Sequence, residues 1–147
     1  MAHVSGNFGT DAQLTNKSSK SARINTDLDL FFTRRTNKDV SVVEDIQAVK
    51  RSIRNLVQFN PHEKPFHPEI SSGVRDLLFE NMSPVTSVVL ARKVEDVITN
   101  FEPRARLQSV RAIPRFDDNA YEVTVDFYVR NYPTELVNLD LFLERLR

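Results

Sequence analysis

The sequence contains no cysteine, no tryptophan and only three glycines in 147 residues. Without cysteine the chain can form neither a disulfide framework nor a thiolate zinc site, and it has no cysteine nucleophile. The glycines stand at positions 6, 9 and 73, a distribution that provides no glycine-rich loop to hold a phosphate group. These absences exclude disulfide-stapled proteins, thiolate metalloproteins and phosphate-loop enzymes.

An excess of charge of either sign is also missing, and so is a long apolar run. Lys+Arg and Asp+Glu both number 20, which gives a formal net charge of zero. A balanced charge argues against a dedicated nucleic-acid or membrane-surface binder. No apolar stretch approaches the roughly 20 residues that span a bilayer, and the first residues lack the basic start and apolar core of a signal peptide. We therefore expect a protein of a cytosol-like compartment with no nucleic-acid or membrane partner.

What is present predicts one folded domain preceded by an arm. The chain length lies within the usual range of about 100–200 residues for one domain, and a chain of this size can bury a core of its own. Residues 1–23 are rich in Gly, Ser, Asn, Thr and Lys, which predicts a flexible arm. Residues 24–147 then form a single domain.

The first elements of this domain are predicted to be an extended segment and an amphipathic helix. In residues 27–32, Leu28, Leu30 and Phe32 stand at alternate positions, so we expect this segment to insert into the core. Apolar residues then recur at steps of four and three, at Val42, Ile46, Val49, Ile53 and Leu56. This spacing predicts a helix of about 18 residues, capped by Asp39 or Ser41.

Two more helices are predicted after a loop that is interrupted by three prolines, residues 60–69. The first is short and runs from Gly73 to about Asn81. The second begins at Ser83-Pro84, a serine cap followed by proline in the first turn, and ends before Pro103. Its inward side is expected to carry the apolar residues Val85, Val88, Val89, Leu90, Val94, Val97, Ile98 and Phe101.

The remaining residues are predicted to form strands. Residues 121–130 alternate strictly between apolar and polar, and residues 106–113 are a plausible hairpin partner. The tail fits a strand, through Val137, Leu139, Leu141 and Leu143, as well as a helix, through Leu136, Leu139, Leu143 and Leu146. Helices first and strands last predict an α+β fold, three helices packed on a small C-terminal sheet that is antiparallel or mixed. An unpaired edge of such a sheet is a template for another chain's strand.

No constellation of residues points to catalysis. Acidic pairs such as Glu95-Asp96 are adjacent in sequence, whereas glycoside hydrolysis needs two carboxylates that face each other across the substrate. His62 and His67 are five residues apart in the proline-interrupted loop, not four apart on one helix face. We therefore predict no catalytic residue, no metal site and no cofactor.

One unusual motif stands where the third helix gives way to the first long strand. Glu102, Pro103 and Arg104 are consecutive, and four arginines fall within the twelve residues 104–115. Three interpretations are open. The motif can be a helix stop with an intrachain Glu102–Arg104 contact. It can be a proline-fixed junction whose charges pair with another subunit. It can also bind nucleic acid, which the balanced charge and the lack of interleaved aromatic residues disfavour.

The motif and its surroundings resemble the GPW/TssE-like family, the small baseplate wedge proteins of contractile phage tails and their relatives in type VI secretion systems. The Glu-Pro-Arg signature of the family is matched within residues 100–106. Residues 27–32 are similar to the opening segment of the family, 43–56 to its first helix, 63–68 to its loop and 74–80 to its short helix. The resemblance spans about residues 25–147, and the arm has no clear counterpart.

This resemblance implies a structural protein, not an enzyme. It implies a wedge subunit of the virion tail baseplate that is assembled in the host cytoplasm and has a fold similar to the conserved domain of the sheath protein. The partners that it implies are the other wedge subunits, joined at their helical core bundle by Glu102, Pro103, Arg104 and Arg106, and the first ring of sheath protein. Because some relatives carry a lysozyme label, the alternative function is a tail-associated muramidase.

The resemblance also bears on the tail, because it implies a sheet at this end of the chain. Asn131 and Pro133 place a turn directly after the preceding strand, so a third strand can pair with it through a short connection. Three strands are more stable than an isolated hairpin. We therefore predict a sheath-facing strand that contains Val137, Leu139, Leu141 and Leu143.

Overall fold

The computed structural model describes residues 25–30, 36 and 39–146, and the predicted arm 1–23 lies outside these residues. The elements in chain order are β1 (Thr26–Leu28), β2 (Val42–Glu44), α1 (Asp45–Gln58), α2 (Val74–Leu78), α3 (Pro84–Phe101), β3 (Ala105–Arg115), β4 (Ala120–Val129) and β5 (Tyr132–Glu144). The predicted α+β class with three helices is confirmed. No helix in the described ranges is long and apolar enough to cross a membrane.

The strands form two separate antiparallel sheets. β1 pairs with β2, and the longer strands form a sheet in the order β3-β4-β5. The tail is therefore a strand, as predicted, and the helical alternative is wrong. Every second residue of β5 from Val137 to Leu143 is buried, which is the period of a strand with one face on a core.

The core lies between the helices and one face of the three-stranded sheet. Its largest fully buried side chains come from α1, α3 and β4, and they are Ile53, Leu90, Ile98, Tyr121 and Phe127. The alternate residues of β4, which are mostly polar, point to the other face of the sheet. The helices thus cover a single face, as the order of elements predicts.

The first helix is shorter than its apolar period predicts. Val42 belongs to β2, and the strand continues until the N–H of Asp45 donates to the C=O of Asn25 at 2.6 Å. The helix then begins at Asp45 with Glu44 at the cap position, so neither Asp39 nor Ser41 caps it. A pairing with a distant strand has replaced the first turn of the predicted helix.

The third helix begins as predicted but turns a different face to the core. Ser83 accepts a bond from the N–H of Thr86 at 3.0 Å, and Pro84 stands in the first turn. Val85, Val88 and Val89 are 74%, 55% and 39% exposed, contrary to the prediction, whereas Thr86 and Ser87 are buried. The hydroxyl of Ser87 donates to the C=O of Pro84 at 2.7 Å, so its burial leaves no polar group unsatisfied.

The centre of α1 offers a direct test of this packing. Ile53 is fully buried within the core cluster, so Ile53→Ala should lower the free energy of unfolding by about 2–5 kcal/mol. Urea unfolding measures this change. The exposed neighbour Arg54 supplies the control, since Arg54→Ala should change the stability by no more than about 0.5 kcal/mol. An equally small effect at Ile53 would contradict the packing described here.

Candidate functional site

The Glu-Pro-Arg triplet (Glu102-Pro103-Arg104) is held rigidly between α3 and β3. The N–H of Glu102 donates to the C=O of Ile98 at 2.9 Å and closes the last turn of the helix. Proline has no N–H and cannot continue a helix, so the chain leaves α3 at this point. The C=O of Arg104 then accepts a bond from the N–H of Arg130 at 3.0 Å, which joins the chain to the end of β4. The triplet therefore occupies a fixed corner.

Within the triplet, the two charged side chains bind each other. Nε of Arg104 donates to Oε1 of Glu102 at 2.7 Å, and Nη2 donates to Oε2 at 2.9 Å. This confirms the intrachain contact that the sequence allowed. Glu102 is only 2% exposed. Burial alone would raise the pKa of Glu102, but the bonds from Arg104 and Ser52 outweigh it and hold the pKa below its usual value.

A third charged group completes this cluster from the other end of the sequence. Nη1 of Arg104 donates to Oδ1 of Asp27 in β1 at 3.0 Å, and Nη2 donates to Oδ2 at 3.1 Å. Arg104 therefore binds two carboxylates, each through two bonds, in a triad that we call the charge triad (Asp27, Glu102 and Arg104). The bonds to Glu102, together with those to Asp27, raise the pKa of Arg104, so the guanidinium stays charged.

The position of Asp27 differs from the sequence-based expectation for the opening segment. We call residues 25–30 the N-terminal strap. In this strap Leu28 and Leu30 are 66% and 59% exposed, whereas Asp29 is buried and forms an ion pair with Arg51. The expected insertion of Leu28 and Leu30 into the core is wrong, and Phe32 lies outside the described residues. Carboxylates face inward here because each of them forms an ion pair with an arginine of the folded domain, Asp27 with Arg104 and Asp29 with Arg51.

A groove runs beside the charge triad, between the strap, α1 and the end of α3. Its volume is about 750 Å³. Apolar side chains of these elements and of the following loop contribute to its walls, among them Leu28, Leu56, Phe59, Ile70 and Phe101. The triad therefore stands next to a concave, partly apolar surface, which is the kind of surface on which macromolecular partners dock.

Arg106, the fourth residue predicted for this interface, does not join the triad. It is exposed and stands on β3 opposite Tyr128 of β4. Its neighbours Ala105 and Leu107 pack toward the core, so the alternation of the strand places Arg106 on the outer face of the sheet. The structure thus brings Glu102 and Arg104 together and separates Arg106 from them.

The second predicted site is β5, which forms one edge of the three-stranded sheet. The residues predicted for it, which we call the β5 core residues, are Val137, Leu139, Leu141 and Leu143. They are all buried, with exposed fractions of 4–8%. Their side chains therefore fasten the strand to the core, and what the edge can present to another chain must come from the alternate residues.

The backbone bonds at the end of β5 identify those alternate residues. The N–H of Arg145 donates to the C=O of Asn119 on the β4 side, whereas the N–H of Leu146 donates to the C=O of Leu78 on the opposite side. Because backbone groups alternate in direction along an antiparallel strand, the groups of even-numbered residues point away from β4. These β5 edge residues are Leu136, Asn138, Asp140, Phe142 and Glu144. In the described part of the chain, β5 forms no backbone bond on this side before Leu146.

A polar network on the outer face of the sheet braces this edge. Asp126 of β4 accepts bonds from Ser109 at 2.8 Å, from Asn138 at 2.9 Å and from Arg111 at 3.1 Å. The bonds from Ser109 and Asn138, more than the charge of Arg111, lower the pKa of Asp126. The network ties all three strands together. Strict alternation in β4 predicts the outward position of Asp126 but not its partners.

Three solved structures share this fold. A proposed tail lysozyme from Geobacter sulfurreducens has a TM-score of 0.59 at 22% identity, over 69% of this chain and 93% of that one. A chain of the anti-feeding prophage baseplate has a TM-score of 0.59 at 19% identity, over 84% and 88%. A chain of the post-contraction baseplate of pyocin R2 has a TM-score of 0.52 at 18% identity, over 77% and 97%. These similarities concern the fold.

The sequence itself identifies the family. Residues 43–134 match the family described as baseplate wedge protein gp25. The baseplate wedge protein gp25 of enterobacteria phage T4 is 31% identical over 121 residues, which cover 82% of this chain and 92% of the phage protein. The match includes the Glu-Pro-Arg triplet, all of β4 and the start of β5. The chain therefore belongs to the gp25 family of baseplate wedge proteins, which are components of contractile tails.

Proposed function

We propose that this wedge component has two structural tasks: it joins the larger wedge subunits through the Glu-Pro-Arg triplet, and it starts the sheath by offering the edge of β5. The observation that carries the proposal is the row of outward backbone groups on the β5 edge residues. In this proposal the partners are the other wedge subunits and the first ring of sheath protein. Assembly in the host cytoplasm and a fold similar to the conserved domain of the sheath protein belong to the same proposal.

The edge suits strand addition because it is both open and rigid. An added strand binds mainly through backbone bonds, which need donors and acceptors held in a fixed row. The β5 core residues hold that row against the core, and the network around Asp126 ties it to β3 and β4. Head-to-tail contacts that do not close into a ring build a helical filament. A subunit that offers an open edge can therefore start such a filament.

The triplet suits a wedge contact because its geometry is fixed before assembly. Glu102 holds the Arg104 guanidinium in one orientation, and Pro103 fixes the direction of the chain between α3 and β3. An oriented guanidinium binds a planar anionic group through two bonds with little loss of side-chain freedom. Arg106 lies on the other side of the corner, so a partner that wraps around the junction contacts both arginines.

A muramidase function, the alternative, is disfavoured by the state of the buried carboxylates. Glycoside hydrolysis needs a carboxylic acid whose pKa is raised and a second carboxylate across the substrate from it. Glu102 and Asp126 both have lowered pKa values, and each binds an arginine. Both are thus held in the ionised form, the opposite of a general acid. This supports a structural role. The proposed tail lysozyme from Geobacter sulfurreducens is similar to this chain in fold alone.

The strand-addition task is tested by proline at Asp140. Asp140 is a β5 edge residue, so proline there removes an outward N–H and leaves the bonds to β4 in place. Asp140→Pro should keep the chain folded and should stop nucleation of sheath polymerisation, as measured by sedimentation of purified sheath protein from the same tail. Circular dichroism melting checks that the variant is folded.

Asp140→Ala is the matched control. Both variants lose the bond that the hydroxyl of Thr124 donates to Asp140 at 3.0 Å, but the alanine variant keeps the outward N–H. It should nucleate sheath polymerisation like the wild type. If the folded proline variant nucleates as well as the alanine variant, sheath strands do not add to this edge.

A further inference from the structure

We propose that Asp27 is an exchangeable occupant of a carboxylate-binding site on Arg104, and that an Asp or Glu side chain of a neighbouring wedge subunit replaces it during assembly. This inference rests on the proposed wedge-joining role of the triplet. It adds that the site is closed in the free chain by the strap of the same chain.

The guanidinium has no room for a further bidentate ligand while Asp27 is bound. An arginine side chain has five N–H donors, and the two carboxylates of the charge triad use four of them. The remaining donor is a single N–H on Nη1. A partner carboxylate can therefore bind through two bonds only if one of the two resident carboxylates leaves.

The two resident carboxylates differ in how easily they can leave. The side chain of Glu102 is 3% exposed and receives a further bond from Ser52, so its release would strand a buried charge. The side chain of Asp27 is 37% exposed and can be rehydrated as it leaves. Glu102 is accordingly the fixed part of the site, and Asp27 is the replaceable part.

The strand that carries Asp27 is also weakly held. β1 is three residues long and pairs only with β2, in a sheet that one further backbone bond extends at each end. A two-stranded sheet is marginally stable on its own, and such segments open locally without unfolding of the core. Leu28 is 66% exposed, so little apolar contact is lost when the strand moves. The neighbouring Asp29 is buried and paired with Arg51. This ion pair keeps the strap attached to the body when the part that carries Asp27 moves away from Arg104.

The chemistry of the resident group defines the incoming one. Asp27 meets Nη1 and Nη2 with both oxygens at 3.0 and 3.1 Å, the parallel two-bond arrangement of arginine with a carboxylate. The partner is a protein subunit, so the equivalent group is an Asp or Glu side chain on its surface. Basic side chains flank the adjoining groove at Arg54 and Lys64, in addition to Arg51, which is paired with Asp29, and this favours an acidic segment at this position.

An engineered disulfide tests whether the strap must move. Thr26 of β1 stands opposite Glu44 of β2, both residues are exposed, and the chain has no cysteine of its own. Opposed residues of an antiparallel pair lie within the Cα separation that a disulfide spans. The Thr26→Cys/Glu44→Cys variant should bind co-expressed wedge subunits of the same tail when reduced and should lose that binding when oxidised, as measured by co-purification.

Asp27→Asn tests whether Asp27 competes with the partner carboxylate for Arg104. Removal of the resident charge should strengthen binding of the same wedge subunits by up to about fivefold, the factor that corresponds to the upper value for a partly exposed ion pair. Equal binding by the oxidised and reduced disulfide variant, or weaker binding by Asp27→Asn, would overturn the exchange. Unchanged binding by Arg104→Ala would instead overturn the wedge-joining role itself, and the exchange with it.

Discussion

Arg104→Ala is expected to abolish wedge assembly and to lower the free energy of unfolding of the isolated chain by about 3–5 kcal/mol. The cost in stability arises at Glu102, which is 2% exposed and would lose the guanidinium that binds and neutralises its carboxylate. The loss of assembly follows from the proposed wedge-joining role, which needs the guanidinium fork of Arg104 at this corner. Co-purification with the wedge subunits and urea unfolding measure the two effects separately.

A double variant separates the two effects in one background. Arg104→Ala combined with Glu102→Gln replaces the buried carboxylate with a neutral amide of the same shape, so most of the lost stability should return. Assembly should not return, because the guanidinium is still missing. Recovery of both properties would show that Arg104 acts only as an intrachain staple, and the wedge-joining role would then fail.

The dependence of stability on pH provides a further check on the same pair. Because the pKa of Glu102 is lowered by folding, its ion pair contributes stability above the pKa of the unfolded state, about 4.3. That contribution declines as the pH falls toward the folded-state pKa. The stability difference between the wild type and the double variant should therefore shrink on acidification. A difference that stays constant between pH 7 and pH 3 would contradict the ion pair described here.

The sequence predicted those elements whose signals are local. Ser83-Pro84 marks the start of α3 through a cap and a proline, both of which act within one turn. Strict alternation identifies β4 because one face of that strand is on the core and the other is polar. The Glu102–Arg104 contact could also be predicted, because the two residues are two positions apart at the end of a helix.

What the sequence could not show depends on partners that are far apart in the chain. Asp27 and Arg104 are separated by 77 residues in the sequence. The alternation of residues 27–32 therefore gives no sign that arginines of the folded body lie on the inner side of this segment. The apolar period alone places leucines inside, and the ion pairs reverse that choice. The predicted start of α1 is wrong for the same reason, because Val42 belongs to a strand that pairs with β1.

The exposed valines of α3 show a second reason why an apolar pattern can mispredict which residues are buried. Val85 and Val88 fit an apolar stripe, but Thr86 and Ser87 can be buried in their place because their hydroxyls donate to backbone C=O groups, that of Asn81 before the helix and that of Pro84 in its first turn. A sequence pattern weighs side chains by their hydrophobicity, and it does not register that a hydroxyl is already satisfied by a nearby backbone C=O.

Truncation after Pro133 is expected to leave the chain unfolded. The deletion removes the four β5 core residues, each of which contributes about 1.5–3 kcal/mol by burial. Their sum approaches the whole stability of a typical domain, about 5–15 kcal/mol. It also turns β4 into an edge whose buried residues Val123, Val125 and Phe127 lose their cover. Narrow amide dispersion in a ¹H–¹⁵N spectrum and a melt without a cooperative transition would show the unfolding.

A shorter deletion after Glu144 is the control for the truncation. It removes the bonds of Arg145 to Glu80 and Asn81 but keeps all of β5, so the chain should still fold and melt cooperatively at a lower temperature. If the long truncation also melts cooperatively, β5 is not an integral part of the core. Because the long truncation removes the fold together with the edge, its failure to nucleate sheath polymerisation would report only unfolding. Asp140→Pro removes the outward N–H from a folded sheet and so isolates the contribution of the edge.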